Sequence, residues 1–133
     1  MIGLDTNVLV RYLAQDDAKQ SAAATRLIES LTAESPGLVT AIVLAETVWV
    51  MEELYGAGRG QIASIVESLL QADAILVQDA EQAWTSLSRY RSGVADFADY
   101  LIERTCASLG CETVFTLDRK AARAKDCGMV LVA

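Results

Sequence analysis

Five short apolar runs, each separated from the next by stretches of helical periodicity, constrain this chain most. The runs fall at 2–4, 38–40, 75–77, 113–116 and 129–132. Between them, apolar residues recur at helical spacing, as in Val8, Leu9, Tyr12 and Leu13. The pattern predicts helices over 7–14, 41–55, 61–71, 96–109 and 118–126. A further helix is capped by Asp16 or Asp17 and uses Ala23, Ala24, Leu27, Ile28 and Leu31 as its apolar positions. Another is capped by Asp79, with Gln82 placed to complete a capping box. Ser35-Pro36-Gly37 breaks the chain before the second run. Short strands alternating with helices predict an α/β fold with a parallel sheet covered by helices on both faces. At 133 residues, the chain fits a single domain over 1–133.

The composition excludes several chemistries. There is no histidine. That removes a Ser-His-Asp triad, a Cys-His pair, two-histidine RNA cleavage and histidine metal ligands. Oxygen donors and a hard cation remain. Cys106, Cys111 and Cys127 form no CxxC pair and suggest neither a disulfide framework nor a zinc site, so reduced, mostly buried thiols are expected. No apolar run approaches the roughly 20 residues of a membrane helix. The start, Met1-Ile2-Gly3-Leu4-Asp5, lacks the regions of a signal peptide, which predicts a cytoplasmic chain with no membrane partner.

Asp5 and Asp118 each follow an apolar run directly, which puts both at the carboxyl edge of the sheet, where ligands bind in such folds. Each can equally be a helix N-cap. Asp96 and Asp99 lie three apart at a helix start and can form a capping box. Glu46 is different. It interrupts Ala41-Ile42-Val43-Leu44-Ala45-Glu46-Thr47-Val48-Trp49-Val50-Met51, where apolar residues occupy nearly every face. A helix buried on most sides would strand this carboxylate unless a cation met it. The alternative is an exposed stripe shared with Glu53. Four or five acids converging without histidine call for a divalent metal, and Mg2+ suits phosphodiester hydrolysis.

These residues resemble a known family. Leu4-Asp5-Thr6-Asn7-Val8-Leu9, Leu44-Ala45-Glu46-Thr47, Asp96-Phe97-Ala98-Asp99-Tyr100-Leu101-Ile102 and Thr116-Leu117-Asp118 occur in the order and spacing of PIN-domain proteins, in particular the VapC-type toxins of bacterial toxin–antitoxin pairs. The resemblance covers essentially the whole chain. It implies a three-layer sandwich with a short central parallel sheet flanked by helices. It implies an acidic quartet of Asp5, Glu46, Asp99 and Asp118 that binds Mg2+ or Mn2+, with Asp96 as an additional ligand or only a cap. Asn7 and Thr116 match polar positions that orient the acids. The implied activity is endoribonuclease, on transfer RNA or ribosomal RNA among other targets. The implied partners are a VapB-type antitoxin and a second copy in a homodimer.

A net charge of −7 opposes nucleic-acid binding. Arg119, Lys120, Arg123 and Lys125 follow Asp118, and Arg11 lies one turn beyond Asn7. Arg11, Arg119, Lys120 and Arg123 are the candidate phosphate contacts, or else simply solvated basic side chains. Trp49, Trp84, Tyr90 and Tyr100 read as core or dimer-contact residues rather than base-stacking platforms. Three other functions compete: a PIN nuclease that is not a toxin, a non-catalytic RNA- or partner-binding protein of this fold, and a metal-dependent phosphatase with Asp5 as nucleophile. The common aspartyl-phosphatase pattern needs a second aspartate where this chain has Asn7.

Overall fold

The computed structural model describes residues 1–133 as two compact units, Met1–Gln78 and Asp79–Ala133. All five predicted strands form, with seven helices between them.

The first unit runs β1 (Ile2–Gly3), α1 (Thr6–Ala14), α2 (Ala18–Glu29), β2 (Gly37–Val39), α3 (Ala41–Tyr55), α4 (Arg59–Gln71) and β3 (Ile75–Val77). The strands pair in parallel in the order β1-β2-β3, with Gly3 opposite Leu38 and Leu38 opposite Leu76. Parallel neighbours need crossovers, and the helices supply them. Asp17, not Asp16, caps α2, its carboxylate accepting from Gln20 N at 2.8 Å. Thr40 Oγ1 caps α3 by accepting from Val43 N at 3.2 Å. Gly56, at φ 65°, closes α3 in the left-handed region that glycine adopts without strain. The core of this unit includes Leu9, Val39, Leu44, Ile62 and Val66. Ala24 and Ile28 of α2 are buried as expected, whereas Ala23 and Leu27 are exposed.

The second unit runs α5 (Ala80–Ser92), α6 (Phe97–Ser108), β4 (Val114–Thr116), α7 (Arg119–Arg123) and β5 (Met129–Leu131). Its two strands pair in parallel, Phe115 opposite Val130. Strand pairing is thus divided between two ladders, where a single sheet was expected. Helices α5 and α6 pack on each other, with Leu87 and Tyr90 of the first and Phe97 and Tyr100 of the second buried. The Tyr90 and Phe97 rings meet edge to face with centroids 5.9 Å apart. The expected cap at Asp79 is not made. This residue lies at φ 53° and its carboxylate bonds no helix N–H. Tyr90 and Tyr100 are core residues, one of the two roles predicted; Trp49 and Trp84 are exposed, so the core role does not apply to them. Of the three cysteines only Cys127 is buried, and Cys111 is exposed. No helix is long and apolar enough to cross a membrane.

Candidate functional site

In the first unit, Asp5, Asn7 and Glu46 line one cavity of about 320 Å³ with Thr6, Arg11 and Tyr55. Asp5 leaves the end of β1 and caps α1, its Oδ1 accepting from Thr6 N at 2.8 Å. The cap uses one carboxylate oxygen and holds the side chain at the mouth of the helix.

Glu46 reaches the same cavity from the middle of α3. The expectation that this helix is buried on most sides does not hold. Leu44, Thr47, Val48 and Met51 form its buried face, a run at i, i+3, i+4 and i+7. The opposite face carries Ile42, Glu46, Trp49 and Glu53, all exposed, with Ile42 at 78% and Trp49 at 58%. Apolar side chains on that outer face made the helix look buried in sequence. Glu46 therefore sits in solvent on the row that includes Glu53, and no buried charge has to be relieved there.

Arg11 is the single basic residue on the cavity wall, and it is already engaged. Its Nη1 donates to Asp16 Oδ1 at 3.1 Å, Asp16 Oδ2 at 3.2 Å and the Tyr55 hydroxyl at 3.2 Å. Its Nε donates to Gln20 Oε1 at 2.7 Å. The Tyr55 hydroxyl donates in turn to Asp16 Oδ2 at 2.5 Å. That hydrogen bond is the first reason the Asp16 carboxyl titrates below its ordinary value, with the Arg11 charge adding to it. Sequence reasoning found Arg11 but missed Asp16 and Tyr55. They meet across 39 positions, and no local pattern announces such a pairing.

In the second unit, Asp118 leaves β4 and caps α7. Its Oδ1 accepts from Lys120 N at 2.8 Å and Ala121 N at 3.3 Å. Thr116 Oγ1 accepts from Asp118 N at 3.0 Å, which fixes the backbone from which this carboxylate projects. Asp99 lies in the first turn of α6, and its Oδ2 accepts from Asp96 N at 3.2 Å. Asp99 has its carboxyl pushed up, first by burial and then by the negative charges of Asp96 and Asp118. The Asp96 N–H and the Lys120 ammonium oppose that shift. Asp96 and Asp118 therefore both lie within electrostatic reach of Asp99. Asp96 is ion-paired, with Lys120 Nζ at 2.8 Å from its Oδ1, so one candidate phosphate contact already faces an anion. Arg119, Arg123 and Lys125 are exposed.

The segment leading into α6 is held from behind. Buried Tyr100 donates its hydroxyl to Asp126 Oδ1 at 3.1 Å and accepts from Ala95 N at 3.4 Å. Gly93 packs against that hydroxyl so closely that an added Cβ would stand 1.8 Å from it.

The donor set suits a hard divalent cation. All the candidate ligands are carboxylate or amide oxygens, with no imidazole. In the first unit the Thr6 hydroxyl, on the same cavity wall, is buried without a hydrogen-bond partner. Within neither unit do three Asp, Glu or Cys side chains stand close enough together to hold an ion among themselves. Mg2+ typically takes one or two carboxylates and keeps several waters, so Asp5 with Glu46 is a sufficient kind of donor set.

Comparison with protein families agrees with the motifs. A PIN domain model matches residues 2–126, and the chain belongs to that family. Its seven helices and short parallel ladders agree with a PIN-like α/β sandwich. PIN domains are typically metal-dependent nucleases that use divalent ions such as Mg2+. A comparison with curated proteins found no match.

Proposed function

We propose that this protein is a Mg2+- or Mn2+-dependent endoribonuclease and the toxin of a VapBC-type toxin–antitoxin pair. Residues 1–133 serve as one functional domain, with Asp5, Glu46, Asp99 and Asp118 as the catalytic, metal-binding carboxylates. The observation that carries the reading is a PIN-family chain with Asp5 and Glu46 on one cavity wall beside an arginine. When bound, the divalent ion supplies an acidified water and positive charge against the phosphodiester.

The chain's own residues do the rest. Asp5 and Asp118 are oriented by the helix N-termini they cap, and Thr116 fixes the backbone under Asp118. Asn7 offers an amide to the same cavity. Asp96 has two roles open to it, metal ligand or only helix cap, and its carboxylate pairs with Lys120. Arg11, Arg119, Lys120 and Arg123 grip substrate phosphates. The substrate is single-stranded or loop RNA, with transfer and ribosomal RNA the leading classes. Products carry 5′-phosphate and 3′-hydroxyl ends, because water rather than the RNA 2′-hydroxyl attacks phosphorus. The protein works in the cytoplasm as a homodimer and is silenced by a VapB-type antitoxin.

The test is cleavage of a single-stranded RNA with Mg2+ and with EDTA, with end-group analysis of the products. Metal-dependent cleavage to 5′-phosphate ends supports the assignment; 2′,3′-cyclic phosphates contradict it. Growth arrest on expression, relieved by the product of an adjacent gene, tests the toxin role.

A further inference from the structure

We propose that Arg11, Tyr55 and Asp16 form a phosphate-binding subsite beside the Asp5–Glu46 cavity, in which Asp16 occupies the place of an RNA phosphate until substrate displaces it. The inference rests on the ribonuclease reading and adds to it the residues that admit substrate. A phosphodiester approaching Asp5 and Glu46 meets two negative side chains on a protein whose net charge is −7. Besides a divalent ion, the one cation the chain itself offers on that wall is Arg11.

The Arg11 guanidinium is not simply waiting for substrate. Its Nη1 bonds both oxygens of the Asp16 carboxylate, at 3.1 and 3.2 Å. Tyr55 supplies a second donor to the same carboxylate, at 2.5 Å. One planar cation and one hydroxyl converging on two anionic oxygens would suit two non-bridging oxygens of a phosphate equally well. Gln20 holds the guanidinium from its Nε edge at 2.7 Å, so the group stays oriented when the anion changes.

Exposure makes the exchange feasible. The Arg11 and Asp16 side chains are 33% and 39% exposed. Ion pairs open to water to this degree are weakly held and yield to a competing anion. A purely structural reading, in which the pair staples the end of α1 to the approach to α2, explains the contact with Asp16. It does not explain why the cation lies on the acidic cavity wall with Tyr55 on the same wall.

The experiment measures binding of a labelled single-stranded RNA in EDTA, where no cleavage occurs, at several salt concentrations. Asp16→Asn should tighten binding about two- to fivefold, the worth of an exposed pair. Arg11→Ala should weaken binding and reduce the salt slope by about 0.7, one phosphate contact on a single strand. The gain from Asp16→Asn should vanish in the Arg11→Ala background. Arg11→Lys, which keeps the charge, should keep the salt slope and lose the sensitivity to Asp16→Asn only in part. Thermal melts of each variant check folding. If Asp16→Asn lowers the melting temperature and leaves binding unchanged, the pair is a staple and the proposal is overturned. The same holds if the gain persists without Arg11, or if wild type binds no RNA. Should the binding pattern appear with no metal-dependent cleavage, the subsite stands and the nuclease assignment fails. Cleavage without the pattern leaves the nuclease and removes the subsite.

Discussion

The two units carry acidic side chains in opposite electrostatic settings. In the first, Asp5 and Glu46 are exposed, and the nearby cation on their cavity wall is taken by Asp16. In the second, Asp99 is partly buried, and the charges of Asp96 and Asp118 work against its ionisation. The first pair of acids stands open to water. Asp99 costs the fold stability, because its ionised form is better tolerated in the unfolded chain. An aspartate placed where the fold penalises its charge is a stronger indication of function than one that caps a helix.

The largest effect expected is on catalysis. Asp5→Asn and Asp118→Asn keep helix-capping acceptors, so both should fold normally. Each should lower metal-dependent RNA cleavage by about two orders of magnitude or more. A variant that melts like wild type yet cleaves RNA normally would remove its residue from the machinery.

Packing comes next, and it bears on the second unit alone. Gly93→Ala forces a methyl group toward the Tyr100 hydroxyl and the Arg89 carbonyl oxygen, which an added Cβ would meet at 1.8 and 2.9 Å. Overpacking of this kind costs about 1–3 kcal/mol. A melting temperature lower by several degrees is expected, and an unchanged one would show that the loop gives way freely.

A smaller effect of opposite sign separates the two units most cleanly. Asp99→Asn should raise the melting temperature at neutral pH in metal-free buffer, while abolishing cleavage. The Asp99 pKa is raised in the fold. The folded state therefore holds the proton longer than the unfolded one. Stability falls as pH rises from the ordinary carboxylate value through the raised one. The gain from Asp99→Asn should accordingly shrink below the ordinary carboxylate range, where both states are protonated. A loss of stability at neutral pH would show that its bond to Asp96 N outweighs the burial and the repulsion.

The smallest effect concerns a thiol. Burial, with neighbouring Asp99 and Glu103, pushes Cys127 up to about 11. Alkylation of the folded protein at mildly alkaline pH should modify exposed Cys111 and spare Cys127 until unfolding. Early labelling of Cys127 would mean that this part of the second unit opens readily.

Much of this was legible in sequence because it is local. Apolar runs ended by turn residues marked all five strands; the caps at Asp5 and Asp118 were readable from their position, and the α2 cap was narrowed to Asp16 or Asp17, of which Asp17 makes it. Glu46 shows where local reading fails. Periodicity counts apolar side chains but does not say which face is covered, and Ile42 and Trp49 occupy the uncovered one. Asp79 looked like a cap, yet its left-handed backbone turns the carboxylate away from that use. The Asp16–Tyr55 and Asp96–Lys120 pairs depend on chain segments meeting across 39 and 24 positions, for which one sequence carries no signal.

Carboxylate-dependent RNA cleavage is best checked by sequencing RNA 5′ ends from cells after brief induction of the wild type and of Asp5→Asn. Discrete new 5′-phosphate ends are expected with the wild type and none with Asp5→Asn at equal protein level. The same ends appearing with both proteins would contradict it.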